Sequence, residues 1–206
     1  MTNNGDCRWK LTLRLLYIYS MGSKMKNRSK TGDKSLRPTT NKVREALFDI
    51  LREEITEASF LDLYSGTGKI GLDALKQGAA GAVFVEVSKA SCKGIGELAR
   101  KFHLSQQVKI YAKKVLAFIE WAELNELAFD IIFLDPPYHT DEIEAALSAI
   151  DRSTILRDNG TVIAEHFKKR ELPEQLKALK KEKTYNYGDT VLTFYTKALK
   201  QEESHE

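Results

Sequence analysis

Apolar residues recur at Val43, Ala46, Leu47, Ile50, Leu51 and Ile55, the spacing of one helical face, and Arg37-Pro38-Thr39-Thr40 before them is a helix-entry signal. From Phe60 onward the pattern changes to short apolar runs separated by amphipathic segments. The runs at 60–64, 82–86, 108–111, 129–134 and 161–166 read as strands, and 69–77, 88–102, 115–124, 141–150 and 173–181 read as helices. Strands that alternate with helices need right-handed crossovers, which place a parallel sheet between two helical layers. Two last strands, 182–187 and 190–197, are joined by Gly188-Asp189, a tight connection that makes a hairpin and ends the sheet on an antiparallel strand. The pattern predicts an α/β fold with a central, mostly parallel seven-stranded sheet and a C-terminal antiparallel hairpin strand.

Composition bounds this fold. A chain of 206 residues, 42% hydrophobic and 30% charged, holds one ordinary globular domain. Two cysteines, Cys7 and Cys92, offer neither a disulfide framework nor metal-ligand spacing, which suits a reducing compartment. The stretch from Leu11 to Met21 is about half a membrane span, carries Arg14 and leads to no small-residue cleavage site, so a cytoplasmic protein is expected. Met21 and Met25 are alternative starts, which leaves the place of residues 1–20 in the native protein open.

Charge divides the chain. Eleven Lys or Arg face two Asp in residues 1–44, a balance of +9, and the net charge of +3 then leaves −6 for the remainder. Residues 1–36 are expected to be a flexible basic arm, 37–200 the folded domain and 201–206 a tail. The arm, with Lys24, Lys26, Arg28 and Lys30, reads either as a phosphate-backbone contact or as a solvated tail.

Two motifs carry chemistry. In Asp62-Leu63-Tyr64-Ser65-Gly66-Thr67-Gly68-Lys69-Ile70-Gly71 a buried strand runs into a glycine turn and a helix, so backbone can approach a ligand at a helix N-terminus. Glu86, ending the next strand, is placed to hold ribose hydroxyls. Both features suit NAD as well as S-adenosylmethionine.

Asp135-Pro136-Pro137-Tyr138 at the tip of the fourth strand separates those two. Ligands of open α/β sheets bind outside the carboxyl ends of the strands, so this tip should face the glycine loop. Two prolines remove backbone donors and leave carbonyls pointing outward, which with the Asp135 carboxylate make an acceptor-only nest for an –NH2 group. Tyr138 offers a flat face to a base turned out of its stack. A conjugated amine is a poor nucleophile, and acceptors on its hydrogens stabilise the positive charge that grows as it attacks a sulfonium methyl. On this reading Tyr138 acts through its ring, and loss of its hydroxyl should be tolerated.

Together these motifs resemble those of the amino-group methyltransferases of Rossmann-like fold. The longer run Arg37-Pro38-Thr39-Thr40-Asn41-Lys42-Val43-Arg44-Glu45-Ala46-Leu47-Phe48 is similar to the opening signature of the RsmD family, which methylates an exocyclic guanine amino group in small-subunit (16S) ribosomal RNA. Gly71-Leu72-Asp73-Ala74-Leu75, the Asp-Pro-Pro-Tyr tip and the late Tyr187-Gly188-Asp189-Thr190 fall in that family's order, so the resemblance spans 37–197. It implies a Rossmann-like methyltransferase fold and an S-adenosylmethionine cofactor held by Asp62, Tyr64, Ser65, Gly66, Thr67, Gly68, Glu86, Lys114 and Val115. It further implies a catalytic tip of Asp135, Pro136, Pro137 and Tyr138, with Arg37 and Thr39 closing over the site. The implied partner is ribosomal RNA, free or in a small-subunit particle. A monomer would suffice, and neither metal nor membrane is expected. Two stretches depart from the family pattern: 10–36 lacks its glycine-rich strand pair, and Lys113-Lys114-Val115 replaces a small polar residue after the third strand. A DNA adenine-N6 methyltransferase and a non-catalytic RNA-binding or ribosome-assembly protein on the same fold are the alternatives.

Overall fold

The computed structural model describes residues 41–138 and 140–197. The expected arm, with Lys24, Lys26, Arg28 and Lys30, the residues Arg37 and Thr39, and the expected tail lie outside the described residues. Helix α1 (Asn41–Ile50) leads into β1 (Ser59–Leu63), α2 (Lys69–Lys76), β2 (Gly81–Val85), α3 (Lys89–Lys101), β3 (Val108–Tyr111), α4 (Val115–Leu124), β4 (Phe129–Leu134), α5 (Glu142–Arg152), β5 (Leu156–Phe167), β6 (Leu179–Tyr187) and β7 (Thr190–Lys197). The helical face expected from Val43 to Ile55 loses its regular helix after Ile50, yet Leu51 and Ile55 remain buried beneath the turns that follow. No helix among the described residues is long and apolar enough to cross a membrane.

One seven-stranded sheet runs in the order β3-β2-β1-β4-β5-β7-β6. Strands β1 to β5 pair in parallel, and β7 is antiparallel to both β5 and β6. Alternation along β4 fills both faces. Ile131 and Phe133 join Phe60, Phe84, Val43 and Leu47 under α1, α2 and α3, while Ile132 and Leu134 join Leu61, Val85, Phe118 and Leu147 under α4 and α5. The strand order reverses between β1 and β4, so the loops leaving those two strands diverge over a crevice.

Two expectations are corrected. The antiparallel strand does not end the sheet: β7, buried along six of its eight positions, enters the interior, and the lysine-bearing β6, with its mostly exposed pattern, takes the edge. Charge on an edge strand also disfavours pairing with another chain. Residues 173–181 are not a helix. Leu172, Leu176 and Leu179 have helical spacing, but the Asp151 carboxylate accepts from the backbone N–H groups of Lys177, Ala178 and Leu179 at 3.1, 2.7 and 2.9 Å. That carboxylate satisfies amides that a helix would have bonded internally, and the turn drops Leu172 and Leu179 into the core.

Candidate active site

The glycine loop is built from backbone geometry. Tyr64 (φ 60°), Gly66 (φ 52°) and Gly68 (φ 73°) all adopt left-handed conformations, which tighten the passage from β1 into α2. A Cβ on Gly68 would stand 2.7 Å from Ile95 Cγ1, and one on Gly71 would run into the Phe84 ring. These two glycines let α2 and α3 close on the sheet, whereas a Cβ on Gly66 would meet only the Tyr64 carbonyl oxygen at 3.9 Å and is otherwise open. Thr67 sits exposed at the crest.

Side chains then lock the loop from within. Ser65 Oγ donates to the Asp62 carbonyl (2.6 Å) and accepts from Val85 N–H (2.9 Å). Asp62 is 2% exposed beneath the loop, with Oδ2 accepting from Gly71 N–H at 3.0 Å. Burial raises its pKa to about 7, the Gly71 N–H opposes the rise, and nearby Glu86 adds to it. Asp62 therefore shapes the turn from below. The Glu86 carboxylate, at the tip of β2, accepts from Gly66 N–H (2.8 Å) and from Ser88 N–H (2.7 Å). A carboxylate has about four acceptor positions, so two remain for a ligand. Val87, directly after it, is 64% exposed, an apolar side chain in the open at a strand tip. The sequence signal for Val87 was its place after the acid.

The turn after β3 contributes differently from expectation. Val115 is buried in the core beside Phe118 and Ile119, whereas Lys113 and Lys114 before it are exposed. Lys113 Nζ lies 5.5 Å from the Trp121 ring centroid.

The proline tip after β4 is held mainly by β5, β7 and the segments next to them. Tyr138 Oη donates to Glu165 Oε1 at 3.2 Å, and Glu165 is 1% exposed near the end of β5. Thr190, at the start of β7, stands opposite Phe167 and is a second polar neighbour of the same phenol. Burial first, then the Glu165 and Asp135 carboxylates, push the Tyr138 phenol above its usual range, so it stays protonated and donates. The Phe167 ring lies 6.4 Å from the Tyr138 ring, tilted by 49°. Arg170 donates to the Tyr138 carbonyl (3.4 Å) and grips both Glu144 oxygens of α5 (2.5 and 2.7 Å). The Pro137 carbonyl is taken up in a surface turn, accepting from the N–H and hydroxyl of Thr140 (3.3 and 2.9 Å). Of the two carbonyls expected to face a ligand, that of Pro137 is thus already engaged, while Pro136 is buried and Asp135 is partly exposed. Glu165, Thr190 and Arg170 were missed in the sequence; Glu165 sits in an apolar run, where a lone acid was the available signal.

This sheet order, with helices on both faces and a glycine loop opposite a proline tip, defines a Rossmann-like methyltransferase fold. The RNA methyltransferase of Salinibacter ruber, solved in complex with S-adenosyl-L-homocysteine, shares it at a TM-score of 0.60 and 17% identity, over 82% of this chain and 99% of that one. A hypothetical protein of Thermus thermophilus is similar at a TM-score of 0.69 and 28% identity, over 82% and 92% of the two chains. A family model described as Conserved hypothetical protein 95 matches residues 17–196. The ribosomal RNA small subunit methyltransferase D of Haemophilus influenzae is 31% identical over 152 residues, 72% of this chain and 78% of that protein. The chain belongs to the RsmD family of ribosomal RNA methyltransferases.

Proposed function

We propose that this protein transfers a methyl group from S-adenosylmethionine to the exocyclic amino group of a guanine in small-subunit ribosomal RNA. The observation that carries the reading is the meeting, at the β1/β4 switch, of a glycine loop latched by Glu86 with an acceptor-rich Asp-Pro-Pro-Tyr tip. The residues present fit the cofactor: Gly66 leaves open space beside its backbone, Glu86 keeps acceptor capacity for ribose hydroxyls, and exposed Val87 offers an apolar face to an adenine ring. Bound there, the cofactor supplies an electrophilic methyl on a positively charged sulfur.

The chain's own residues prepare the amine. Asp135 and the Pro136 carbonyl accept its two hydrogens, which favours a tetrahedral nitrogen whose lone pair leaves the ring. Asp135 opposes the positive charge that grows on that nitrogen. Tyr138 presents its ring to the extruded base, and the fixed loops hold nitrogen and methyl in line. Residues 37–200 serve as the methyltransferase domain. Lys24, Lys26, Arg28 and Lys30 of the 1–36 arm contact RNA phosphates, and Arg37 and Thr39 take part in RNA binding. Such an enzyme acts in the cytoplasm as a monomer, on RNA or on a small-subunit particle.

Incubation with labelled cofactor and undermethylated 16S ribosomal RNA, or the particle containing it, should yield N2-methylguanosine on nucleoside analysis. Methyl transfer to adenine in DNA would replace this reading with the DNA enzyme, and no transfer to any nucleic acid would replace it with an assembly role.

A further inference from the structure

The late Tyr187-Gly188-Asp189-Thr190 segment has no part in the chemistry described so far, and neither does the acid in β5. Register brings them together. Phe167 stands opposite Thr190 and Glu165 opposite Leu192 across the β5–β7 ladder, so Glu165, Phe167 and Thr190 share one face of the sheet. That is the face on which the Tyr138 ring rests, against Phe167, with its hydroxyl between the Glu165 carboxylate and the Thr190 side chain. The hairpin holding Thr190 is itself pinned. Asp189 pairs with Lys168 at 2.6 Å, its carbonyl accepts from Lys168 N–H at 3.0 Å, and Gly188 (φ 67°) makes the tight turn.

We infer that Glu165 and Thr190 are positioning residues for methyl transfer: they fix Tyr138 through its hydroxyl, and the hairpin exists in part to deliver Thr190. The inference rests on the proposed role of the Asp135–Tyr138 tip. The hydroxyl donates to Glu165, and Thr190, opposite Phe167 on the same face, stands beside the same phenol, so the ring is held from two strands. Tyr138 follows Asp135 by three residues, and two of the intervening positions are prolines with fixed φ. Rotation of the tyrosine is therefore transmitted to the acceptor groups that meet the amine. This assigns the phenol a purpose that a stacking surface alone would not need.

The test is a double-mutant cycle read by single-turnover methyl transfer at saturating cofactor and RNA, with cofactor affinity measured on each variant by calorimetry. Tyr138→Phe, Glu165→Ala and Thr190→Val should each slow transfer by about tenfold, the effect of one lost buried hydrogen bond or somewhat more, with cofactor affinity unchanged. Glu165→Gln and Thr190→Ser keep an acceptor and a donor, and should restore most of the rate. In the Tyr138→Phe background, Thr190→Val and Glu165→Ala should cost little more. Losses that multiply in that background, or Glu165→Gln as slow as Glu165→Ala, would overturn the inference, since Glu165 would then act by its charge on the amine itself. Thr190→Val and Glu165→Gln are near-isosteric, so they report even where Glu165→Ala does not fold. Asp135→Ala separates the two levels: normal transfer by that variant sinks the reading of the tip, whereas its failure beside multiplicative losses sinks only the positioning role.

Discussion

The glycine loop after β1 and the proline tip after β4 face one crevice but are held in opposite ways. The loop is fastened mainly by its own neighbourhood: Asp62 to Gly71, Ser65 to Val85 and Gly66 to Glu86 are 9 to 20 residues apart, while the Tyr64 hydroxyl reaches farther, to the Glu142 carbonyl. The tip is fastened from afar, by Glu165 at a separation of 27 and Arg170 at 32, and by Thr190 on a different strand pair. Local fastening suits a cradle formed before any ligand arrives. Remote fastening makes the tip depend on the β5–β7 half of the sheet being in place, so the binding and reacting halves should fail separately.

Asp135→Ala should produce the largest effect. Loss of one preorganised electrostatic partner typically lowers turnover about a hundred- to a thousandfold, and cofactor affinity should barely change because the glycine loop does not lean on the tip. Single-turnover rates beside calorimetry make the comparison; parallel loss of rate and affinity would mean that the two halves are not independent.

Glu86→Ala should act in the reverse sense. Charge-assisted hydrogen bonds contribute roughly 1.5–3 kcal/mol, so cofactor binding should weaken about ten- to a hundredfold. The structure places this effect toward the upper end, because the same carboxylate latches Gly66 and Ser88 N–H groups and its removal loosens the cradle itself. Unchanged affinity, or tighter binding of NAD, would break the assignment of this loop.

These two halves were unequally legible in the sequence. Glycine spacing and the paired acid are local signals, and the loop they describe is a local structure. Asp-Pro-Pro-Tyr was legible as a tip, but not that Thr140 would take up the Pro137 carbonyl in a turn. The bond from the Tyr138 hydroxyl to Glu165 was not legible, because its partner lies on a later strand and no sequence spacing reveals it. The misread 173–181 segment has the same cause: Asp151, more than 20 residues away, bonds the amides that decide its conformation. Periodicity located the five parallel strands because an apolar run is written in each strand's own residues, including β3, which is only half-buried at the sheet's edge. It did not show which hairpin strand would take the interior.

Gly71→Ala probes the cradle's packing. The added methyl would meet the Phe84 ring and stand 3.1 Å from Asp62 Oδ2. Overpacking of this kind costs about 1–3 kcal/mol, so thermal unfolding should move to lower temperature. Gly66→Ala has open space and strains only its positive φ, so it should cost less. Equal losses at both positions would mean that conformation, not close approach, sets the need for glycine.

The smallest effect on activity is expected at Asp62, and its signature is a pH dependence of stability. In the folded protein this carboxyl titrates at about 7, raised chiefly by burial, whereas an unfolded chain releases the proton near 3.9. Below about pH 4 both states hold the proton, and the group's contribution is fully present. Between about 4 and 7 the unfolded chain binds fewer protons than the folded one, so stability falls as pH rises, by at most about 1.4 kcal/mol per pH unit. Above the folded value both states are ionised and the slope vanishes. Asp62→Asn cannot ionise, while its amide oxygen can still accept from Gly71 N–H. Denaturant unfolding of the two proteins at several pH values should therefore show the variant gaining on the parent from pH 4 to 7 and holding that lead above it. Cofactor affinity at neutral pH should stay within a few-fold of the parent, because the asparagine preserves the hydrogen bond that shapes the turn. A stability difference independent of pH would mean that Asp62 is ionised throughout, and a collapse of affinity would mean that its charge reaches the ligand.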